Sequence, residues 1–227
     1  MVLLLVGKSG LGKTFLVKEY AKMLYSSDSF IKIDMSEYKD EFSSSKLIGA
    51  PPGYVGYKEN NTLLDKIKLN PYSVLLLDEI EKASPSVLKL FLQDFDEGIL
   101  TASNGEVVDF KNVTIFLTSN LSCNRESMGF SNSTVDYITD SFKTYLGVEF
   151  LNRIDEVLIF NSLTKEDIKK IIVKQLTDYV DKNKMNLKIS TEIVNKLVEE
   201  VDFSVSGARK ISRIIEKYVE ENEILQL

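Results

Sequence analysis

A glycine-rich stretch near the start of the chain has the residue types and spacing that can bind phosphate. Residues 7–14 match the pattern G-x-x-x-x-G-K-[ST] directly after an apolar run at residues 1–6. Glycines let the backbone turn tightly, so that its N–H groups approach phosphate oxygens. Lys13 would meet the outer phosphates of a nucleotide, and Thr14 would bind Mg²⁺ through its hydroxyl. A plain turn between a strand and a helix is the alternative. The candidate nucleotide-binding residues are Gly7, Lys8, Ser9, Gly10, Leu11, Gly12, Lys13 and Thr14.

Two carboxylates follow a second apolar run. Residues 74–77 are Val-Leu-Leu-Leu, which is typical of a strand buried on both faces, and Asp78 and Glu79 come next. Asp78 would hold Mg²⁺, partly through water, and Glu79 would orient and deprotonate the water that attacks the γ-phosphate. The alternative is an acidic first turn of a helix. Together the two motifs predict an ATPase that binds ATP and Mg²⁺.

Composition excludes several kinds of protein. The chain has 227 residues, a net charge of −6, no histidine and one cysteine. The missing imidazoles argue against zinc sites and serine–histidine triads, and a single cysteine cannot form an internal disulfide. The acidic charge argues against a nucleic-acid partner, and the sequence contains no apolar run long enough to span a bilayer. We therefore expect no nucleic acid and no membrane among the partners.

Apolar periodicity predicts alternating strands and helices. Strands are expected at residues 1–6, 30–35, 74–77, 107–110 and 113–118, and helices at 15–24, 42–48, 62–68 and 85–95. This order predicts an α/β fold in which a parallel sheet carries helices on both faces. After a helix cap at Thr164, helices follow, including 191–201 and 208–219. We expect a large ATPase domain at residues 1–161 and a small, mainly helical lid domain at 162–227.

Longer segments carry a more specific resemblance that covers nearly the whole chain. These segments read IDMSEY at 33–38, LIGAPPGYVGY at 47–57, LDEIEKA at 77–83 and FLNRIDE at 150–156. With the phosphate loop in place, they resemble the second ATPase module of the Clp unfoldases, within the AAA+ superfamily. The resemblance implies a P-loop AAA+ sheet and an ATPase that forms a homohexamer in its full-length context. It also implies that unfolded or tagged proteins are threaded through the ring.

The resemblance extends to a pore loop. Tyr54, followed by Val55 between two glycines, looks like the aromatic residue with which this family grips a translocating polypeptide. An exposed aromatic flanked by glycines can press on any sequence by nonspecific contact. From the residues alone, a turn whose tyrosines pack locally is the alternative.

Three further residues resemble catalytic positions of the family. Asn120 is similar to the sensor that contacts the γ-phosphate or the attacking water, and a turn-capping asparagine is its alternative. Arg153 resembles the arginine finger that reaches a neighbouring subunit, and a salt bridge to Asp155 or Glu156 is its alternative. Arg209 resembles the second sensor of the lid, and a solvated charge at a helix start is its alternative.

A tripeptide in the loop after Asn120 bears on the kind of Clp protein. Peptidase-coupled members carry an aliphatic-glycine-aromatic docking tripeptide there, and Met128, Gly129 and Phe130 fit that description. The resemblance therefore favours a ClpC-type unfoldase that feeds a ClpP-type peptidase over a stand-alone ClpB-type disaggregase. Alternatives of another class are a DNA-acting AAA+ motor and an inactive nucleotide-binding assembly subunit.

The position of the phosphate loop leads to a further expectation. In the family a preceding segment encloses adenine, so we expect an incomplete ATPase domain here, a shortened C-terminal end and weak activity of the isolated piece. A bacterial cytoplasm or a plastid-type organelle fits the composition.

Overall fold

The computed structural model describes residues 1–25, 29–49, 62–121, 142–183, 190–200 and 209–223. These residues form two compact units. The first consists of Met1–Gly7 and Lys13–Phe160, and the second consists of Lys8–Gly12 and the chain from Asn161 onward.

The strands are β1 Val2–Val6, β2 Phe30–Asp34, β3 Val74–Asp78, β4 Ile99–Thr101, β5 Val107–Asp109, β6 Thr114–Ser119 and β7 Glu156–Ile159. The α-helices are α1 Lys13–Leu24, α2 Ser44–Ile48, α3 Leu63–Leu69, α4 Pro85–Glu97, α5 Val148–Leu151, α6 Lys165–Asn183, α7 Thr191–Glu200 and α8 Arg209–Glu223. Residues 142–146 are also helical. Single 3₁₀ turns lie at Met35–Glu37, Glu41–Ser43 and Ile80–Lys82.

The first unit is built on a five-stranded parallel sheet with the order β2-β3-β6-β1-β7. Its central strands consist mainly of apolar residues because both faces of the sheet are covered, and the polar residues of β3 and most of those of β6 lie at their carboxyl ends. Alternate residues of β1 show this: Leu3 and Leu5 pack against α1, whereas Leu4 and Val6 join the core on the other face. The parallel arrangement brings the carboxyl ends of β1, β3 and β6 to one edge of the sheet.

Helix α4 shows how local sequence sets the ends of an element. Pro85 occupies its first turn, where a missing N–H costs nothing, and Gly98 ends it in the left-handed conformation with φ 67°. The predicted helix at 42–48 is shorter than expected, since Glu41–Ser43 is a 3₁₀ turn and α2 begins at Ser44.

Two strands were not predicted from the sequence, and a predicted third strand does not join the parallel sheet. Strands β4 and β7 were not predicted, and β5 pairs with β4 as an antiparallel hairpin apart from the parallel sheet. Both missed strands are only three or four residues long, so they give little periodic signal.

The second unit contains α6, α7 and α8. A capping box begins α6: the Thr164 N–H donates to Asp167 Oδ2 at 3.0 Å, and the Asp167 N–H donates to Thr164 Oγ1 at 3.2 Å. The three helices bury one apolar stripe each: its members are four residues apart in α6 and α8, and lie at positions i, i+3 and i+4 in α7, as helical geometry requires. This core consists of Ile168, Ile172, Leu176, Val194, Leu197, Val198, Ile211, Ile215 and Val219. Within the described part of the chain, no helix combines the length and the apolar character needed to cross a membrane.

Candidate active site

The predicted phosphate loop lies between β1 and α1. Gly10 and Gly12 have φ angles of 82° and 95°, a region that side chains with a Cβ rarely adopt. A Cβ on Gly12 would have no atom within 4 Å, so it is the backbone conformation that requires glycine there. Helix α1 begins at Lys13, immediately after the loop. The loop therefore precedes a helix N-terminus, whose N–H groups favour anions.

Lys13 is folded inward. Only 6% of it is exposed, and its ammonium donates to the Gly7 carbonyl at 2.5 Å and to Asn120 Oδ1 at 2.9 Å. Gly7 is in turn tied to the adjacent strand, because its N–H donates to the Ser119 carbonyl at 3.2 Å. These bonds hold the lysine ammonium at the carboxyl ends of β1 and β6.

Asn120 connects Lys13 to Glu79. While Oδ1 accepts from the lysine, Nδ2 donates to Glu79 Oε1 at 3.2 Å. The two partners fix the amide orientation, since an ammonium can only donate and a carboxylate can only accept. The Asn120 backbone N–H donates to Glu81 Oε1 at 3.1 Å, which ties the residue to the turn after β3. Among the described residues, Glu81 Oε2 is one of three buried side-chain polar atoms without a hydrogen-bond partner.

Asp78 is held from both sides of β3. Lys32 on β2 pairs with its Oδ2 at 2.6 Å, and the Thr118 hydroxyl on β6 donates to its Oδ1. The Asp78 side chain is 13% exposed, so its charge is largely removed from solvent and compensated by these neighbours. Neither Lys32 nor Thr118 was predicted from the sequence as a site residue. Only their places in the predicted strands could have indicated a contact with Asp78, since Lys32 and Thr118 lie on the two strands that flank β3.

Glu79 adopts the left-handed conformation, with φ 58° and ψ 52°. Within the described part of the chain it is the one non-glycine residue with positive φ. Such backbone strain is concentrated at functional sites and persists only where the surroundings determine it. Here the Glu79 N–H donates to Thr118 Oγ1 at 3.1 Å, and the carboxylate accepts from Asn120.

The predicted Mg²⁺ donors are oxygen atoms, as this ion requires. Thr14 is the second residue of α1 and half-buried, and Asp78 ends β3. The described residues contain no cluster of three or more His, Cys, Asp or Glu that could bind a metal through protein ligands alone. A site with one carboxylate and one hydroxyl fits Mg²⁺, which keeps several waters and is bound together with substrate phosphates.

Arg153 follows α5 and pairs within its own chain. Its Nε donates to Asp96 Oδ1 at 2.6 Å, its Nη2 donates to Asp96 Oδ2 at 3.0 Å, and its Nη1 donates to the Glu149 carbonyl at 3.0 Å. The alternative from sequence named the wrong partners, Asp155 and Glu156. Asp155 instead accepts from the Val2 N–H at 2.6 Å.

Several predicted residues lie outside the described residues. They are Tyr54 and Val55 of the predicted pore loop, and Met128, Gly129 and Phe130 of the predicted docking tripeptide. Arg209 is the first residue of α8, but its side chain is outside the described part of the chain.

The site can be compared with known proteins. A family model described as the AAA domain of the Cdc48 subfamily matches residues 1–157. The chain belongs to this AAA family. A second model, described as the C-terminal, D2-small domain of ClpB protein, matches residues 163–226.

Relatives of this AAA chain have Clp names. Chaperone protein ClpB of Aquifex aeolicus is 41% identical over 96% of the chain, and the ATP-binding subunit ClpC of the ATP-dependent Clp protease from Staphylococcus aureus is 38% identical over 96%. The matches cover 23% and 28% of these relatives, so the chain spans about a quarter of their length. A solved structure, a closed-state reconstruction of Hsp104 with ATPγS and FITC casein, matches with TM-score 0.87 and 34% identity over 99% of this chain and 40% of that chain.

These matches confirm the predicted family, a Clp-type AAA+ ATPase module, and the predicted fold class. Relatives named ClpB and relatives named ClpC both occur. The preference for a ClpC-type protein therefore stays a prediction.

Proposed function

We propose that this AAA chain binds and hydrolyses ATP with Mg²⁺, and that the assembled protein uses this hydrolysis to unfold polypeptides and thread them through a homohexameric ring. The observation that carries the proposal is the hydrogen-bonded connection from Lys13 through Asn120 to Glu79. It joins a phosphate-binding cation to a carboxylate at the edge where parallel sheets bind ligands.

Each residue of this connection has a role in the proposed reaction. Lys13 and the N–H groups at the start of α1 bind the phosphates. Glu79 accepts the proton of the attacking water, and Asn120 keeps that carboxylate at a fixed distance from the lysine. Bound Mg²⁺ would be held by Thr14 and Asp78 and would neutralise charge on the phosphate oxygens. Arg153, and Arg209 at the start of the second unit's last helix, are proposed as the finger and the second sensor.

The names of the relatives support a protein substrate. ClpB is named a chaperone, ClpC is named a subunit of a protease, and the Hsp104 structure was solved with casein. We extend these properties to this chain as part of the proposal, with Tyr54 and Val55 as the contact to the substrate. Coupling to a ClpP-type peptidase, and a setting in a bacterial cytoplasm or plastid-type organelle, are narrower proposals within it.

Two alternative functions, a DNA-acting motor and an inactive assembly subunit, are less well supported. A DNA-acting motor would need a basic surface, whereas the chain carries a net charge of −6. An inactive assembly subunit would not need the connected Lys13, Asn120 and Glu79. Neither alternative gains support from an observation of its own.

The test of hydrolysis is Glu79→Gln in the purified protein. We expect nucleotide affinity to persist while Mg²⁺-dependent ATP turnover falls by about 10²- to 10⁴-fold, because the general base is lost. Glu166→Gln changes an exposed glutamate on α6 and is the matched control. Unchanged turnover in Glu79→Gln would remove Glu79 from the mechanism.

The test of threading is Tyr54→Ala, measured by unfolding of a tagged fluorescent protein. We expect ATP turnover to remain while unfolding is lost, because the aromatic grip on the substrate is gone. The matched control is Tyr72→Ala, which removes a tyrosine that is 62% exposed and lies outside the predicted pore loop. Equal unfolding by wild type and Tyr54→Ala would exclude Tyr54 as the gripping residue.

A further inference from the structure

Thr118 contacts both carboxylate residues of the proposed site. It lies on β6, and only 1% of it is exposed. Its hydroxyl accepts a hydrogen bond from the Glu79 N–H at 3.1 Å and donates one to Asp78 Oδ1. A hydroxyl can play both roles at once, since it has one donor and two acceptor lone pairs.

We propose that Thr118 is a positioning residue for ATP hydrolysis, which fixes the Asp78 carboxylate and the Glu79 backbone relative to each other. This inference rests on the proposed ATPase function. It adds a residue that acts through the two carboxylate residues it contacts, the proposed Mg²⁺ ligand Asp78 and the proposed general base Glu79.

The sheet explains why a side chain is needed at this place. Strands β3 and β6 pair in parallel up to Leu77 and Leu117, the last pair in register. Beyond that pair the pairing with β6 ends, β3 ends at Asp78, and the chain turns through Glu79 with positive φ. At the turn, the Thr118 hydroxyl serves as the acceptor for the Glu79 N–H. A strained peptide is thereby tied to the neighbouring strand.

Asp78 depends on the same hydroxyl. Lys32 from β2 holds one carboxylate oxygen at 2.6 Å, and Thr118 from β6 holds the other. Without the hydroxyl, Asp78 Oδ1 would lose its hydrogen bond to Thr118. The ion pair with Lys32 would remain, and the carboxylate could then turn toward β2. Both predicted effects, on Glu79 and on the Mg²⁺ ligand Asp78, arise from a single oxygen atom.

The experiment compares Thr118→Val, which keeps the shape but removes the hydroxyl, with Thr118→Ser, which keeps the hydroxyl. In the purified protein we expect Thr118→Val to lower kcat for ATP by about 10- to 100-fold, because misplacement of reacting groups has effects of this size. The Mg²⁺ concentration for half-maximal turnover should rise, while nucleotide affinity stays within about 3-fold. Thr118→Ser should restore both quantities to near wild type.

Thr114→Val is the matched control, because Thr114 is half-buried on the same strand at its opposite end. Should Thr118→Val fail to fold, Thr118→Ala removes the same oxygen with less bulk and is expected to give the same shift in Mg²⁺ dependence. A purely structural role for Thr118 would lower the melting temperature and leave the Mg²⁺ dependence unchanged, and that result would overturn the inference.

The outcome also separates this inference from the proposed function. A wild-type protein that hydrolyses no ATP in any tested assembly would contradict the ATPase proposal itself. A wild-type protein that hydrolyses ATP, together with a hydroxyl-free Thr118 variant of equal kcat and Mg²⁺ dependence, would contradict only the role of Thr118.

Discussion

Arg153 and Asp96 form a two-pronged ion pair across 57 residues of sequence, with N–O distances of 2.6 and 3.0 Å. The hydrogen bonds from Arg153 hold the pKa of the Asp96 carboxyl below its ordinary value. The arginine side chain is 27% exposed, so the pair lies at the surface of its own unit. A guanidinium that leaves Asp96 can offer the same two parallel bonds to a phosphate.

We predict that Arg153→Ala lowers ATP turnover of the assembled protein by about 10³-fold or more, while nucleotide binding persists. Arg153→Lys keeps the charge but loses the planar guanidinium, so its ATP turnover should lie between that of wild type and that of Arg153→Ala. Turnover is measured at saturating ATP. Arg213→Ala, which removes an exposed arginine on α8, is the control.

A mixing experiment distinguishes action in a neighbouring subunit from action within one chain. Subunits with Arg153→Ala and subunits with Glu79→Gln are each expected to be nearly inactive alone. Mixed assemblies should regain turnover, because an intact Glu79 then faces an intact Arg153 from its neighbour. If mixing restores nothing, or if Asp96→Asn is as inactive as Arg153→Ala, the pair has a structural role in place of the proposed one.

A second prediction concerns the tripeptide Met128, Gly129 and Phe130, whose structure is outside the described residues. If it inserts into a hydrophobic pocket of a ClpP-type peptidase, Phe130→Ala should abolish co-purification with that peptidase, because the apolar anchor carries most of the binding. ATP turnover should not change.

The control for this docking prediction is Tyr145→Ala, since Tyr145 is an aromatic residue that is 57% exposed elsewhere in the first unit. Co-purification that is equal for wild type, Phe130→Ala and Tyr145→Ala would contradict docking through the tripeptide. If none of the three proteins co-purifies with the peptidase, the ClpB-type alternative is favoured.

The sequence predicted the parts of the fold that leave a strong periodic signal. Residues 74–77 are apolar without interruption because their strand is buried on both faces, and exposed strands or surface helices do not produce such a run. The turn between β1 and α1 was predictable for a similar reason, since the positive φ angles of Gly10 and Gly12 favour glycine. Strand β7 was missed because a short strand with exposed Val157 and Leu158 lacks any such pattern.

The connections within the site could not be predicted from sequence. Thr118 contacts Asp78 across 40 residues, and Arg153 contacts Asp96 across 57. The spacing of residue types within one helix or strand cannot predict contacts between residues this far apart in sequence. Such contacts depend on which elements are neighbours and, between strands, on their register. The resemblance to the Clp family assigned Glu79 and Asn120 to one site, and it agrees with the general rule that the carboxyl ends of parallel strands meet at one edge of the sheet.

The third prediction concerns Asp94, a buried carboxyl on α4. Only 2% of Asp94 is exposed, and its Oδ2 has no hydrogen-bond partner among the described residues. Burial raises the pKa of Asp94 from 3.8 to about 7, against a smaller opposing effect of the chain's amino terminus. The last turn of α4 contains no basic residue that could compensate a negative charge near the helix C-terminus.

The sign of the pH dependence follows from these two pKa values. Between about pH 4 and pH 7 the folded protein keeps the Asp94 proton and the unfolded chain releases it, so the free energy of unfolding falls as pH rises. Above about pH 7 the contribution is constant. A difference of about 3 pKa units corresponds to a loss on the order of 4 kcal/mol.

We therefore expect Asp94→Asn to flatten the fall in unfolding free energy between pH 4 and pH 7, and Asp94→Leu to be more stable than wild type at pH 7.5. Both quantities come from denaturant titrations at a series of pH values. Glu97→Gln changes an exposed carboxyl on the same helix and should leave the wild-type profile in place. Parallel profiles for wild type and Asp94→Asn across this range would show that Asp94 is ionised in the folded protein, since only a carboxyl that keeps its proton on folding produces the difference.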